Sequence, residues 1–126
     1  MGLNLPALPA GWRYEGWAVI NSKPVTTGIF TSATGADGAA PFSGTSAAPP
    51  FPGEDFIINA PAGLTFPTNL SGGLAVISVE PFPDNSPAPF LLKPLLANIP
   101  NPAKDHVTYN MNLNVAGLPT GTAERN

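Results

Sequence analysis

The sequence predicts an all-β fold, a two-sheet β-sandwich of immunoglobulin-like type with about six to seven strands and long Pro/Gly-rich loops. Three observations predict it. Gly contributes 13 and Pro 17 of the 126 residues, roughly twice the usual share, and these are the poorest helix formers. Charged residues are only 10%, against about a quarter in an ordinary soluble domain, and Gln is absent. Helical periodicity appears nowhere over a useful length, whereas several stretches alternate with period two. Leu, Ile, Val and Phe still make up about a quarter of the chain, enough for a core. A small closed barrel is the alternative. One domain spanning residues 1–126 fits this length.

Trp12, Tyr14, Ala18 and Ile20 share one face of a first strand, and Arg13, Glu15, Trp17 and Val19 share the other. The second face begins polar and ends apolar. Asn21-Ser22-Lys23-Pro24 is a turn cluster. Residues 25–31 are β-branched and aromatic, the return strand of a hairpin. Residues 32–53 are nearly all Ala, Gly, Ser, Thr and Pro, which makes a long surface loop, stiff around Pro49-Pro50-Phe51-Pro52 and pinned by Phe42 and Phe51. Phe56-Ile57-Ile58 reads as a short strand, with Leu64, Phe66 and Leu70 following. Residues 74–80 are apolar on both faces until Ser78 and Glu80, as in a central strand, which Pro81 and Pro83 stop. Asp84-Asn85-Ser86-Pro87 is a turn. Residues 90–99 offer at most one short helical turn, because Pro94 lacks a donor. Val107, Tyr109, Met111, Leu113 and Val115 alternate with polar residues in the cleanest strand of the chain. Residues 117–126 form a frayed tail.

Net charge is −3. Arg13, Lys23, Lys93, Lys104 and Arg125 are scattered, which speaks against nucleic-acid binding. With no cysteine, disulfides, thiolate catalysis and Cys-zinc sites are excluded. No apolar run is long enough to span a membrane as a helix. No signal-peptide pattern follows Met1-Gly2, and the expectation is a mature domain trimmed of its leader. Gly35-Ala36-Asp37-Gly38 and Ser71-Gly72-Gly73 lack the Lys-Ser/Thr of a phosphate loop. His106 beside Asp105 reads as a solvated pair, and no Gly-x-Ser-x-Gly is present. Glu54 and Asp55 are adjacent and point to opposite faces of any strand, which spoils them as an acid/base pair. Glu80, Asp84 and Asn85 offer oxygens to calcium, but an Asx turn accounts for the same residues. Asn69-Leu70-Ser71 is a sequon. No catalytic, cofactor or metal residue is assigned, and no small-molecule ligand is expected.

Two surface features remain. Trp12, Tyr14 and Trp17 suggest a carbohydrate platform, although their alternation splits them between faces. Asn110, Asn112 and Asn114 form a row on one strand face, suited to amide ladders between chains or simply to water. Trp12, Trp17 and these three Asn are therefore the candidate interaction surface. The chain also begins abruptly at a strand, and an open sheet edge there would be a template for strand addition.

Tyr14-Glu15-Gly16-Trp17-Ala18-Val19-Ile20 with Pro24-Val25-Thr26-Thr27-Gly28-Ile29-Phe30 resembles the hairpin of the extracytoplasmic domain of anti-sigma-K-type factors. Val76-Ile77-Ser78-Val79-Glu80-Pro81, with Asp84 and Pro87-Ala88-Pro89-Phe90, resembles that family's strand ending in Glu-Pro. Pro49-Pro50-Phe51-Pro52-Gly53-Glu54-Asp55-Phe56 is similar to a loop of its secreted bacterial branch. The likeness spans residues 5–100. It implies a β-sandwich outside the cytoplasmic membrane with no catalytic residues. The family's sigma-binding segment and membrane helix have no counterpart here, so the sensory or docking half is what the resemblance implies. The expected function is a non-enzymatic extracytoplasmic interaction or sensor domain, binding a protein partner. The alternative is a self-assembling structural subunit, and a carbohydrate-binding module stands behind both.

Overall fold

Two left-handed residues make the first hairpin. Asn21 and Ser22 have φ of 49° and 65°, the backbone of a two-residue turn whose twist matches its flanking strands. Around it β1 (Trp12–Ile20) and β2 (Lys23–Phe30) pair antiparallel, with a bulge between Gly16 and Trp17. The computed structural model describes residues 3–84 and 86–125. Met1-Gly2, Asn85 of the 84–87 turn and Asn126 of the tail lie outside the described residues.

β3 (Leu74–Pro81) pairs with the other edge of β1, followed by β4 (Leu95–Asn98) and β5 (Asn112–Leu113). The result is one antiparallel five-stranded sheet in the order β2-β1-β3-β4-β5. A single 3-10 turn, Val115–Gly117, follows β5, and no α-helix occurs among the described residues. The chain is all-β.

The period-two reading of β1 carries through to packing. Tyr14 faces Val79 and Gly16 faces Ile77 across the β1–β3 ladder, while Arg13, Glu15 and Trp17 face Glu80, Ser78 and Val76. Tyr14, Phe30, Ile77 and Val79 form one buried cluster, covered by Leu3, Leu5, Leu8, Leu92, Leu95 and Met111. The Tyr14 hydroxyl donates to the Pro6 carbonyl at 2.6 Å, which ties the leading segment over this cluster. Ala18, Ile20, Val25 and Phe56 form the second cluster, covered by Phe42, Leu64, Phe66 and Leu70.

The cover over this face is irregular chain rather than a second set of strands. Phe56-Ile57-Ile58 does not run as a strand, because Phe56 takes a left-handed φ of 52° that breaks an extended run. The Ile57 and Ile58 amides both donate to the Phe42 carbonyl, at 2.7 and 3.3 Å, and both side chains are exposed. Phe42 pins the loop as expected, but Phe51 is exposed and does not. Residues 95–98, expected to offer no more than a turn, form β4. The 107–115 strand shrinks to the two residues of β5, because its template β4 is only four residues long between Pro94 and Pro100. Asn114 then turns into the fold, its amide N–H donating to the Pro94 carbonyl at 2.8 Å and its side chain to Lys93 at 3.0 Å.

Candidate functional site

The polar face of β1 and β3 holds a buried network. The Trp17 indole N–H donates to the Ser78 hydroxyl at 2.8 Å. The Ser78 hydroxyl in turn donates to Glu80 Oε1, which also accepts the Phe90 amide at 2.8 Å. Ser78 and Glu80 are 0% and 2% exposed. Glu80 Oε2 is buried and meets no N–H or O–H donor among the described residues. A proton resting on that oxygen resolves this, and the Asp84 carboxyl is its acceptor. Burial pushes the Glu80 carboxyl above the usual carboxylate range, the Phe90 and Ser78 hydrogen bonds pull it back, and Asp84 raises it again. Glu15, opposite Ser78 and 7% exposed, is pushed up to about 7, chiefly by burial. A hydrogen bond from Thr26 opposes this shift, and the charges of Glu80 and Asp84 add to it.

Glu15 also lines an open cavity of about 580 Å³. Arg13 from β1, Phe30 from β2, Phe82, and Asp37 and Glu54 from the 32–55 segment complete its functional wall. The Arg13 guanidinium donates to the Trp12 carbonyl at 2.8 Å and lies 4.7 Å from the Phe82 ring centre. Asp37 accepts the Gly53 amide at 2.8 Å and the Ala39 amide at 3.2 Å, which folds the loop back over β2. Glu54 Oε2 accepts the Ser43 hydroxyl at 2.5 Å, whereas Oε1 is buried with no hydrogen-bond partner among the described residues. Burial raises the Glu54 carboxyl too. No group of three His, Cys, Asp or Glu among the described residues is arranged to hold a metal ion.

Gly28 is where β2 and this loop meet. Its φ of +123° is costly for any side chain, and a Cβ there would overlap Asp37. Gly28→Ala should therefore lower unfolding free energy by about 2 kcal/mol in a urea titration, whereas Gly35→Ala, which meets open space, should cost less.

The residues singled out from the sequence are dispersed. Trp12 is partly exposed, its ring 6.4 Å from that of Phe90. Trp17 is 3% exposed and Tyr14 is also buried, so neither belongs to a surface, and the three-ring platform does not form. Trp17 lies inside because its indole N–H finds a buried acceptor in Ser78. Asn110 and Asn112 are exposed, but the side-chain amide of Asn114 is spent on Lys93, so the row of three is broken. His106 Nδ1 lies 2.9 Å from Asp105, both side chains being 91% exposed, a solvated pair. Asn69 of the sequon accepts the Ser71 amide at 2.9 Å in an Asx turn. Glu54 faces the cavity while Asp55 is exposed.

The two sheet edges differ. β2 carries Pro24 and the bulge, and its Ile29 carbonyl is taken by the Gly38 amide at 3.2 Å, all of which discourage strand addition. At the β5 edge Val107, Tyr109, Leu113 and Val115 are exposed, Leu113 at 64%. Residues 107–123 carry no charge.

No protein-family model, curated protein or solved structure matches this chain.

Proposed function

We propose that this chain is a non-enzymatic protein-interaction domain, working outside the cytoplasm, whose docking surface is the 107–115 edge beside β5. The observation that carries the reading is an apolar row left exposed on a charge-free edge segment. Such edges are normally blunted by charge, Pro or a bulge, and this one has none of the three. The extracytoplasmic setting rests on the resemblance to anti-sigma-K-type domains.

The partner this edge fits is a second copy of itself. Antiparallel self-pairing centred on Met111 would set Tyr109 against Leu113, Val107 against Val115 and Asn110 against Asn112. Apolar side chains meet apolar ones, amides meet amides, and no like charges oppose. Added strands would also extend the cover over the apolar face, toward the two-layer sandwich expected from the sequence.

Light scattering on size-exclusion fractions tests this. A reversible dimer is expected at high protein concentration, and Leu113→Lys with Val107→Lys should abolish it by placing like charges across the ladder. A wild type that stays monomeric at about 1 mM, where even a weak association of about −4 kcal/mol would register, sinks the self-pairing.

A further inference from the structure

We propose that the cavity between β1, β2 and the 32–55 segment is a binding site for a small organic cation, an ammonium group on an apolar or aromatic body. The site stands at the β2 side of the sheet, three strands from β5, and does not depend on the docking edge. Its volume of about 580 Å³ suits a small molecule.

The wall is short of positive charge. Glu15, Asp37 and Glu54 all line it, and none forms an ion pair among the described residues. Arg13, the only cation in the wall, is engaged by the Trp12 carbonyl and the Phe82 ring. Glu54 Oε1 is sealed from water with an acceptor position unused. Glu15 is more than nine-tenths buried with its carboxyl in the wall. Buried acceptors without donors are costly, and a ligand that brings donors removes that cost.

A point cation is the wrong shape for this wall. The carboxyls are too dispersed to close around a metal ion, whereas an extended cation reaches separated acceptors. Phe30 and Phe82 supply the aromatic surface against which its body would lie, and ring faces attract cations. The raised Glu15 and Glu54 carboxyls fit this reading, because a bound cation would favour their ionised forms. Glu80 and Asp84 press on Glu15 from β3 and the turn after it, Thr26 from β2 and Arg13 from its own strand, so the proton on Glu15 is the first to yield.

Isothermal titration calorimetry on the full chain, with phenethylammonium and its neutral counterpart phenethyl alcohol, tests the proposal. The ammonium should bind, the alcohol on the order of tenfold more weakly, and binding should tighten from about pH 6 to pH 8 as Glu15 ionises. Glu15→Gln and Glu54→Gln should each weaken the ammonium about tenfold, the loss expected for one charged hydrogen bond. Because the two variants lie on different elements, misfolding of one leaves the other informative. Equal binding of alcohol and ammonium, folded variants with unchanged affinity, or no heat from the ammonium at about 10 mM would each overturn it.

Discussion

Thermal unfolding of this protein should give its highest midpoint near about pH 5 and fall steadily as the pH is raised to about 8. Most proteins owe acid sensitivity to carboxylates held below their ordinary range. Here the carboxyls that burial moves, Glu15, Glu54 and Glu80, all move upward. Glu15 goes from 4.5 in the unfolded chain to about 7 in the fold. Between those values the native state keeps a proton that the unfolded state has released, so stability falls as pH rises. Below 4.5 both states are protonated and the contribution is complete. Above about 7 both are ionised and it is gone. For Glu15 alone this amounts to about 3 kcal/mol, or on the order of 10 °C in midpoint for a chain of this size. Glu80 adds to it with the same sign, through the proton it shares with Asp84.

Glu15→Gln should flatten this profile. A neutral amide of the same shape needs no proton to stay buried, so the variant should exceed the wild type by about 2–3 kcal/mol at pH 8 and match it near pH 5. A wild-type midpoint that rises between pH 5 and 8, or a variant with the parental slope, would contradict the placement of Glu15. An organic cation in the cavity should mimic the substitution at pH 8, since it compensates the same carboxylate.

How much of this was legible in the sequence depends on the range of the interaction involved. The hairpin of β1 and β2 was, because alternation and a left-handed turn pair are local signals. So was β3, whose Ser78 and Glu80 already stood out in an apolar run. The 107–115 segment has the cleanest alternation in the chain, yet two residues of it pair. Alternation says which way side chains would point in a strand; it says nothing of the length of the neighbour, and Pro94 and Pro100 leave that neighbour short. Trp17 alternates with the polar positions and looks available until its indole finds Ser78, 61 residues away. The cavity had no local signal at all. Glu15, Asp37 and Glu54 meet only because Asp37 gathers the loop back over β2.

Phe56→Ala should be among the most damaging single substitutions in this chain, costing about 3–5 kcal/mol in denaturant unfolding. Phe56 is 3% exposed. Its ring lies 5.5 Å from Phe66 at 69° and 6.3 Å from Phe42 in a stacked arrangement, and Phe42 meets Phe66 edge-on at 5.8 Å. These three rings join the irregular cover to Ala18, Ile20 and Val25 of the sheet. A second sheet would anchor itself through a ladder of backbone bonds, and the loss of one side chain would leave the ladder standing. Here the cover is held by side-chain packing, so one ring carries a large share. The left-handed φ at Phe56 sharpens the test. Alanine keeps that strain and loses the ring, whereas Phe56→Gly relieves part of the strain at the same loss of packing. Glycine should therefore be no worse than alanine, the reverse of the order expected in a strand. Phe51→Ala, in the same segment but exposed, should fall within about 0.5 kcal/mol of the wild type. Comparable losses at Phe51 and Phe56 would mean that the loop is held along its whole length and not through the aromatic trio.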